Sequence, residues 1–488
     1  MTKLAFCDII NYNWGKSGVD GKSTHMTFYT ERNWRLFMEN KSTIGAEKIN
    51  ALFDAGTFVE IGSYVRRSNR PQEYEGVVCG YGAVDGKLVF AYSQDSDRMK
   101  GAFDEIHARK IEKLYEMAIA NGAPVVAMLD SAGAVIYDGS AVLSGYGRVM
   151  KCVSEASGII PQIAVVNGVC GGMSATIAAM YDLVVTIKDK SRLYVNPPFA
   201  VGSETGTAEF AAANGLAALV AADEADANAK VRELIAVLPA NNMDGTMLEV
   251  NEDDLNRKVA VDGVSVVALV NELADSNRFI TLYNDYAPEM ITGFASFGGV
   301  FAGVVYADGK ISVSGARKAA KFVTLCDSFN IPLLTLVDSE GVVADKDAEA
   351  APFASELAKL AFAYTSSKNA KVTVVVGKAY GAAYTLMGSK SVGADVAFAL
   401  ESAAISVLAP EASVAFVWND KVTADKSRED LENEWKEKCA SPVDAAEKGD
   451  IDDIIESAEL RQRICAAFGM LFSKAEGKPS RRHINLPL

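Results

Sequence analysis

Histidine is nearly absent from this chain of 488 residues: only His25, His107 and His483 occur, and none lies in a turn rich in small residues. There is no G-x-S-x-G elbow, no P-loop and no H-E-x-x-H helix. The chain is therefore not expected to be a Ser-His-Asp hydrolase, and His107 is expected to begin or pack a helix. The seven cysteines (Cys7, Cys79, Cys152, Cys170, Cys326, Cys439 and Cys465) are scattered, with no C-x-x-C pair. That argues against a zinc ribbon or a disulfide framework and for buried free thiols in a reducing compartment. No uninterrupted apolar run reaches the roughly 18 residues of a membrane span. The first residues, MTKLAFCDIINYNWGKSG, lack the basic region and apolar core of a signal peptide. The expected location is cytoplasmic. Positive charge is in deficit, 48 Lys and Arg against 63 Asp and Glu, for a net charge of −15. Such a surface repels nucleic acid and anionic membranes, and an anionic ligand would need a locally basic approach.

The composition is that of a soluble globular protein, 49% hydrophobic and 23% charged, and the length suits two domains of α/β size. An internal repeat divides the chain. Ala108-Arg109-Lys110 recurs 208 positions later as Ala316-Arg317-Lys318. Pro124 recurs as Pro332, Asp130-Ser131 as Asp338-Ser339 and Gly133 as Gly341, all at that spacing, and Gly168 matches Gly377 at 209. Each half reads alike. A hairpin-like strand pair (76–92 and 291–306) precedes a helix with apolar residues at i, i+3 and i+7: Ile111, Leu114 and Ala118, then Phe322, Leu325 and Phe329. Short apolar runs closed by Asp follow, PVVAMLD and PLLTLVD, as suits strands buried on both faces. The fold class is α/β in two homologous domains, 1–250 and 251–488, divided in the polar stretch 241–262.

After the strand at 163–166 comes Asn167-Gly168-Val169-Cys170-Gly171-Gly172-Met173-Ser174-Ala175, and after 372–376 comes Gly377-Lys378-Ala379-Tyr380-Gly381-Ala382-Ala383-Tyr384. Each is dense in small residues before a helix. There the backbone can approach a ligand, and adjacent N–H groups can face a developing oxyanion. One such turn is most simply tight helix–sheet packing; two at equivalent positions argue for function. Ser131-Ala132-Gly133-Ala134 and its counterpart Ser339-Glu340-Gly341 follow buried strands and are read as second walls of the same pockets, or as ordinary strand-ending turns. The chemistry expected is positioning by backbone N–H groups, without a side-chain acid or base.

These segments resemble the crotonase-like carboxyltransferase family, which includes the β subunits of propionyl-CoA carboxylase and the α subunits of methylmalonyl-CoA and glutaconyl-CoA decarboxylases. The resemblance runs from ALFDAGTFVEIGSYV through EGVVCGYGAVDGKLVFAYSQD, MKGAFDEIHARKI, LDSAGAVI, SGIIPQIAVVNGVCGGM, KFVTLCDSFNIPLL, GKAYGAAY and SPVDAAEKGDIDDIIE to the tail RRHINLPL. It implies two ββα-spiral domains, a homo-hexamer, and an enzyme moving a carboxyl group between carboxybiotin and the α-carbon of an acyl-CoA. Acyl-CoA would lie on the N-terminal domain of one subunit and biotin on the C-terminal domain of another. Gly172 and Met173 would offer N–H groups to the thioester oxygen, with Ser131, Ala132, Gly133, Ala134 and Gly171 lining the substrate. Ala382 and Ala383 would serve the biotin ureido oxygen, with Gly341, Tyr380, Gly381 and Thr385 around it. The released ureido nitrogen would act as base, and no metal is implied. Val135 stands where the family has Arg, Glu340-Gly341-Val342 where it has Pro-Gly-Phe, and Met173 replaces a small residue. With no Met-Lys-Met site and no ATP-grasp loop, biotin is expected on a separate carrier protein and its carboxylation on a biotin carboxylase subunit. The alternatives are a sodium-pumping acyl-CoA decarboxylase with a membrane subunit, a biotin-free hydratase or hydrolase of the crotonase type, and a non-catalytic scaffold subunit. The charged run DKSREDLENEWKEK is expected to be a solvated helix.

Overall fold

The computed structural model describes residues 43–474 apart from 68–72, 246, 247, 249, 262 and 424. The expectations for the first residues, for His25 and His483, for Cys7 and for the C-terminal tail lie outside the described residues.

Each half opens on a hairpin whose turn is written in the sequence. Strands β2 (Val77–Val84) and β3 (Lys87–Gln94) are joined by Asp85-Gly86, and the second half's β10 (Met290–Phe297) and β11 (Val300–Asp308) by Gly298-Gly299. All four loop residues have positive φ, as the two-residue turn that matches strand twist requires. A carboxylate clamps each turn. Asp54 accepts the amides of Asp85 and Gly86 and pairs with Arg232; Asp275 accepts those of Gly298 and Gly299 and pairs with Arg461.

The remaining strands are β1 (Val59–Ile61), β4 (Val125–Ser131), β5 (Gln162–Gly171), β6 (Leu183–Ile187), β7 (Arg192–Tyr194) and β8 (Leu219–Ala221) in the first half. The second half has β9 (Phe279–Leu282), β12 (Leu333–Ser339), β13 (Lys371–Tyr380), β14 (Val396–Leu400), β15 (Ala404–Ser406) and β16 (Asp453–Ile455). The two sheets have one topology. The first runs β1-β2-β3-β4-β5-β6-β8 with β7 against β5; the second runs β9-β10-β11-β12-β13-β14-β16 with β15 against β13. The β3-to-β8 and β11-to-β16 ladders are parallel, which explains why PVVAML and PLLTLV are apolar without alternation.

Helices cover the sheets. Helix α1 (Glu105–Asn121), capped by Asp104, buries Ile111, Leu114 and Ala118 as the spacing predicts; α2 (Ser140–Ala156) lies beside it. Their counterparts are α3 (Val313–Ser328), capped by Ser312, and α4 (Phe353–Ser366). The other face of the first sheet shares a core with the second half: Val126, Val165 and Leu183 belong to one cluster with Phe294, Phe322 and Leu360. The run 425–438 supplies all but the last residue of the expected solvated helix, Arg428–Cys439, with only Leu431 buried.

Candidate active site

The site begins at an irregularity shared by both halves. The β4–β5 register shifts between Leu129 and Ser131, and the β12–β13 register between Val337 and Ser339. Asp130 and Asp338 occupy the shifts and turn back over the neighbouring strand. A Cβ at Gly168 would land on the Asp130 carboxylate, and one at Gly377 on the Asp338 carboxylate, far inside van der Waals contact. The Val169 amide donates to Asp130 Oδ1 at 3.3 Å and the Lys378 amide to Asp338 Oδ1 at 2.8 Å. Lys48 Nζ completes the first cluster, 2.9 Å from Asp130 Oδ2.

Past Asp130 the chain forms the loop 131–134. The Ser131 hydroxyl accepts the Gly133 amide at 3.1 Å, the Ala132 amide donates to the Lys100 carbonyl at 2.9 Å, and Phe103 bridges to Ala134. Among the described residues the Ala134 amide has no partner. In the second half the Ser339 hydroxyl accepts the Gly341 amide at 3.4 Å, and the Gly341 carbonyl accepts from Ile311. Val135 donates its amide to the Phe103 carbonyl at 2.9 Å and accepts the Asp138 amide at 3.1 Å.

The second wall is the turn from β5 into the short helix Met173–Ala179. Gly172, at φ 60° and ψ −125°, donates its amide to the Tyr194 carbonyl of β7 at 2.9 Å. This corrects the expectation that Gly172 offers its own N–H: Gly172 makes the turn, and its donor is already committed. The amides left without a partner among the described residues are those of Met173 and Ser174. A Cβ at Gly171 would meet the Tyr194 ring at 2.7 Å, so Gly171 packs against that ring. The second half repeats this. Gly381, at φ 54° and ψ −122°, donates to Ser406 of β15 at 2.9 Å, and the unpartnered amides are those of Ala382, Ala383 and Tyr384.

Ser174, which the sequence reading passed over, is thus the counterpart of Ala383; the 209-residue spacing already paired them. Burial pushes the Tyr146 phenol up, against an opposing hydrogen bond with the Ser174 side chain. Tyr380 is nearly buried, and a Cβ at Gly341 would sit 3.5 Å from its carbonyl oxygen. Thr385 lies exposed beyond the turn, its amide directed to Gly381. The altered loop at Glu340 is tied by Lys378 at 2.7 Å, a hydrogen bond that holds the Glu340 carboxyl below its usual range.

Each Asp also borders a cavity. The first, of about 850 Å³, is lined by Lys48, Asp130, Asn167, Lys190 and Arg232. The second, of about 620 Å³, is lined by Asp308, Lys318, Asp338 and Val376, and burial brings Lys318 down to about 8. His107 reaches neither turn: it is fully buried in α1. No group of three or more metal-ligating side chains occurs among the described residues.

Two equivalent strand-to-helix turns with unpartnered amides, one per half, are the arrangement expected of a carboxyltransferase. The carboxyl transferase domain matches residues 38–486. The chain belongs to that family. It is 32% identical over 481 residues to the carboxyltransferase subunit of propionyl-CoA carboxylase from Haloferax mediterranei, covering 91% of this chain and 93% of that one. It is 34% identical over 479 residues to the α subunit of methylmalonyl-CoA decarboxylase from Propionigenium modestum, covering 91% and 92%. Its structure matches transcarboxylase 12S with a TM-score of 0.88 at 28% identity, covering 97% of this chain and all of the other. That enzyme is described as a hexamer, with methylmalonyl-coenzyme A bound. The α/β fold of two crotonase-like halves and the carboxyltransferase activity of biotin-dependent carboxylases are therefore those of this chain.

Proposed function

We propose that this chain transfers a carboxyl group to or from the α-carbon of an acyl-CoA, with 1–250 forming the acyl-CoA domain and 251–488 the biotin domain. The observation that carries the assignment is the paired set of unpartnered amides. Met173 and Ser174, with Ala134 across the loop, hold the thioester oxygen where negative charge develops as the α-proton leaves. Gly171 and the 131–134 loop shape the acyl pocket.

The second turn fits the ureido group. Ala382 and Ala383 offer two adjacent donors behind methyl side chains, and Gly381 and Gly341 keep the approach open, with Tyr380 and Thr385 at its margins. Biotin on a separate carrier protein, when bound, supplies the transferable carboxyl group. The chain's own part is to orient both oxygens and stabilise charge on them without moving a proton through a side chain.

A second copy of the chain completes the site. Val195, Phe199 and Val201 are exposed just past the first turn, and Val407, Phe416 and Val417 just past the second. Tyr137 is 98% exposed beside the 131–134 loop. Equivalent apolar faces next to both turns suit packing of the first half of one copy on the second half of another, and so a homo-oligomer, with a hexamer as in transcarboxylase 12S. Among the described residues no helix is long and apolar enough to cross a membrane, and we place the chain in the cytoplasm.

The partners are a biotin carboxyl carrier protein and a biotin carboxylase subunit. The similarity to a methylmalonyl-CoA decarboxylase subunit favours, as a second reading, a membrane decarboxylase partner; the proteins that co-purify with the chain distinguish the two. The test is carboxyl exchange by the chain with its biotinylated partner over a panel of short acyl-CoAs. Exchange with at least one is expected. Exchange with none would favour a non-catalytic scaffold.

A further inference from the structure

The two halves differ in how they anchor the Asp at the register shift. In the second half the backbone does it: the β11–β12 ladder runs six pairs, through Asp308 opposite Asp338, and Gly309 donates to the Asp338 carbonyl at 2.8 Å. In the first half the β3–β4 ladder stops after four pairs, at Ser93 opposite Met128. The Asp130 amide is instead taken by a side chain, Gln94 Oε1, at 3.0 Å.

Gln94 is itself held from behind. It is 3% exposed, and its Nε2 lies 3.4 Å from Nε2 of His107, which is 0% exposed. His107 Nδ1 lies 3.2 Å from Glu75 Oε1, a carboxylate also closed from solvent and facing Arg67 at 3.4 Å. Burial pushes the Glu75 carboxyl up, but the hydrogen bond from His107, the positive charge around it and the Gly76 amide outweigh it and hold it below its usual range. The proton positions follow. The Asp130 N–H can only donate, so Oε1 of Gln94 must face it, and the Gln94 amide nitrogen must face His107. His107 Nε2 then accepts, and Nδ1 carries the hydrogen given to Glu75.

Among the described residues the second half has no such chain. At the 208-residue spacing the counterpart of His107 is Gly315, and a Cβ there would meet Glu289 Oε1 at 2.6 Å. The counterpart cap, Ser312 for Asp104, is kept. The histidine is thus excluded where the backbone ladder is long and present where it is short.

We infer that Gln94, His107 and Glu75 form a positioning relay belonging to the acyl-CoA half alone, which fixes the Asp130 amide and through it the 131–134 loop. The relay rests on the carboxyltransferase reading for the loop's purpose but not for its geometry. Gln94→Met keeps the volume and loses both hydrogen bonds. Gln94→Glu, protonated toward His107, keeps an acceptor for Asp130 and a donor for Nε2.

Hydrogen–deuterium exchange on the assembled protein reads the anchor directly. In Gln94→Met, exchange across 129–136 should rise about tenfold, the cost of one lost hydrogen bond, while the matched segment 337–344 stays unchanged. In carboxyl exchange the same variant should lose about tenfold in kcat/KM for acyl-CoA with an unaltered KM for the biotinylated partner. Gln94→Glu should recover both. Unchanged protection in Gln94→Met, equal damage in Gln94→Glu, or a matching change in the biotin half would overturn the relay. A wild-type protein inactive with every acyl-CoA would instead defeat the carboxyltransferase reading, and the exchange experiment would still decide the anchor.

Discussion

Glycine is needed at the two turns for two separate reasons. Gly172 and Gly381 take a backbone conformation with positive φ that lets the next residues turn their amides outward. Gly168 and Gly377 have ordinary backbones but lie beneath the carboxylates of Asp130 and Asp338. Gly168→Ala should therefore force the Asp130 side chain aside. The expected cost is about 1–3 kcal/mol of stability, measured by denaturant unfolding, together with a loss of exchange activity. An unchanged unfolding midpoint would mean that the Asp130 contact is not tight. Part of this is legible in the sequence: the spacings pair Asp130 with Asp338 and Gly168 with Gly377, although the contact between Asp and Gly in each half is not. The commitment of the Gly172 amide was not readable, because its acceptor, Tyr194, arrives on a short strand that no periodicity announces.

At the scale of elements, hairpins and buried strands followed from local chemistry. Asp85-Gly86 and Gly298-Gly299 specify their turns, and apolar runs ending in Asp mark parallel strands. The difference between the ladders next to β4 and β12 did not follow, since it depends on how far two strands separated by a helix run together. The short helix Pro198–Val201 and its counterpart Pro410–Val417 each present a strongly exposed aromatic side chain near a turn, Phe199 at 92% and Phe416 at 82%. If these faces join two copies, Phe199→Glu or Phe416→Glu should shift the assembly to smaller species in light scattering and reduce exchange, without lowering the helix content. An oligomer of unchanged mass in both variants would place the interface elsewhere.

Across the whole molecule, the halves share a core and also meet through charge. Asp182 accepts the Gln162 amide at 2.8 Å; burial pushes its carboxyl up to about 7, against the pull of that amide and of Lys321 from the second half. Its ordinary value is 3.8, so between these limits the folded chain retains a proton that the unfolded chain has lost. The stability it contributes is present at low pH and is lost as pH rises through about 7. Asp182→Asn, which keeps an acceptor for Gln162, should raise the unfolding temperature at about pH 8 and leave it little changed near pH 4. An equal shift at both would show that Asp182 does not titrate on unfolding.

The central claim is that each half works through amides at the start of a short helix. Proline at the first helical position removes one such N–H while suiting the local backbone. Carboxyl exchange by Met173→Pro and Ala382→Pro, each checked for unchanged assembly and unfolding temperature, measures this directly. A fall of about 100-fold or more in kcat in either variant is the predicted result, in line with the loss of an oxyanion donor. Wild-type exchange in both variants would contradict the account.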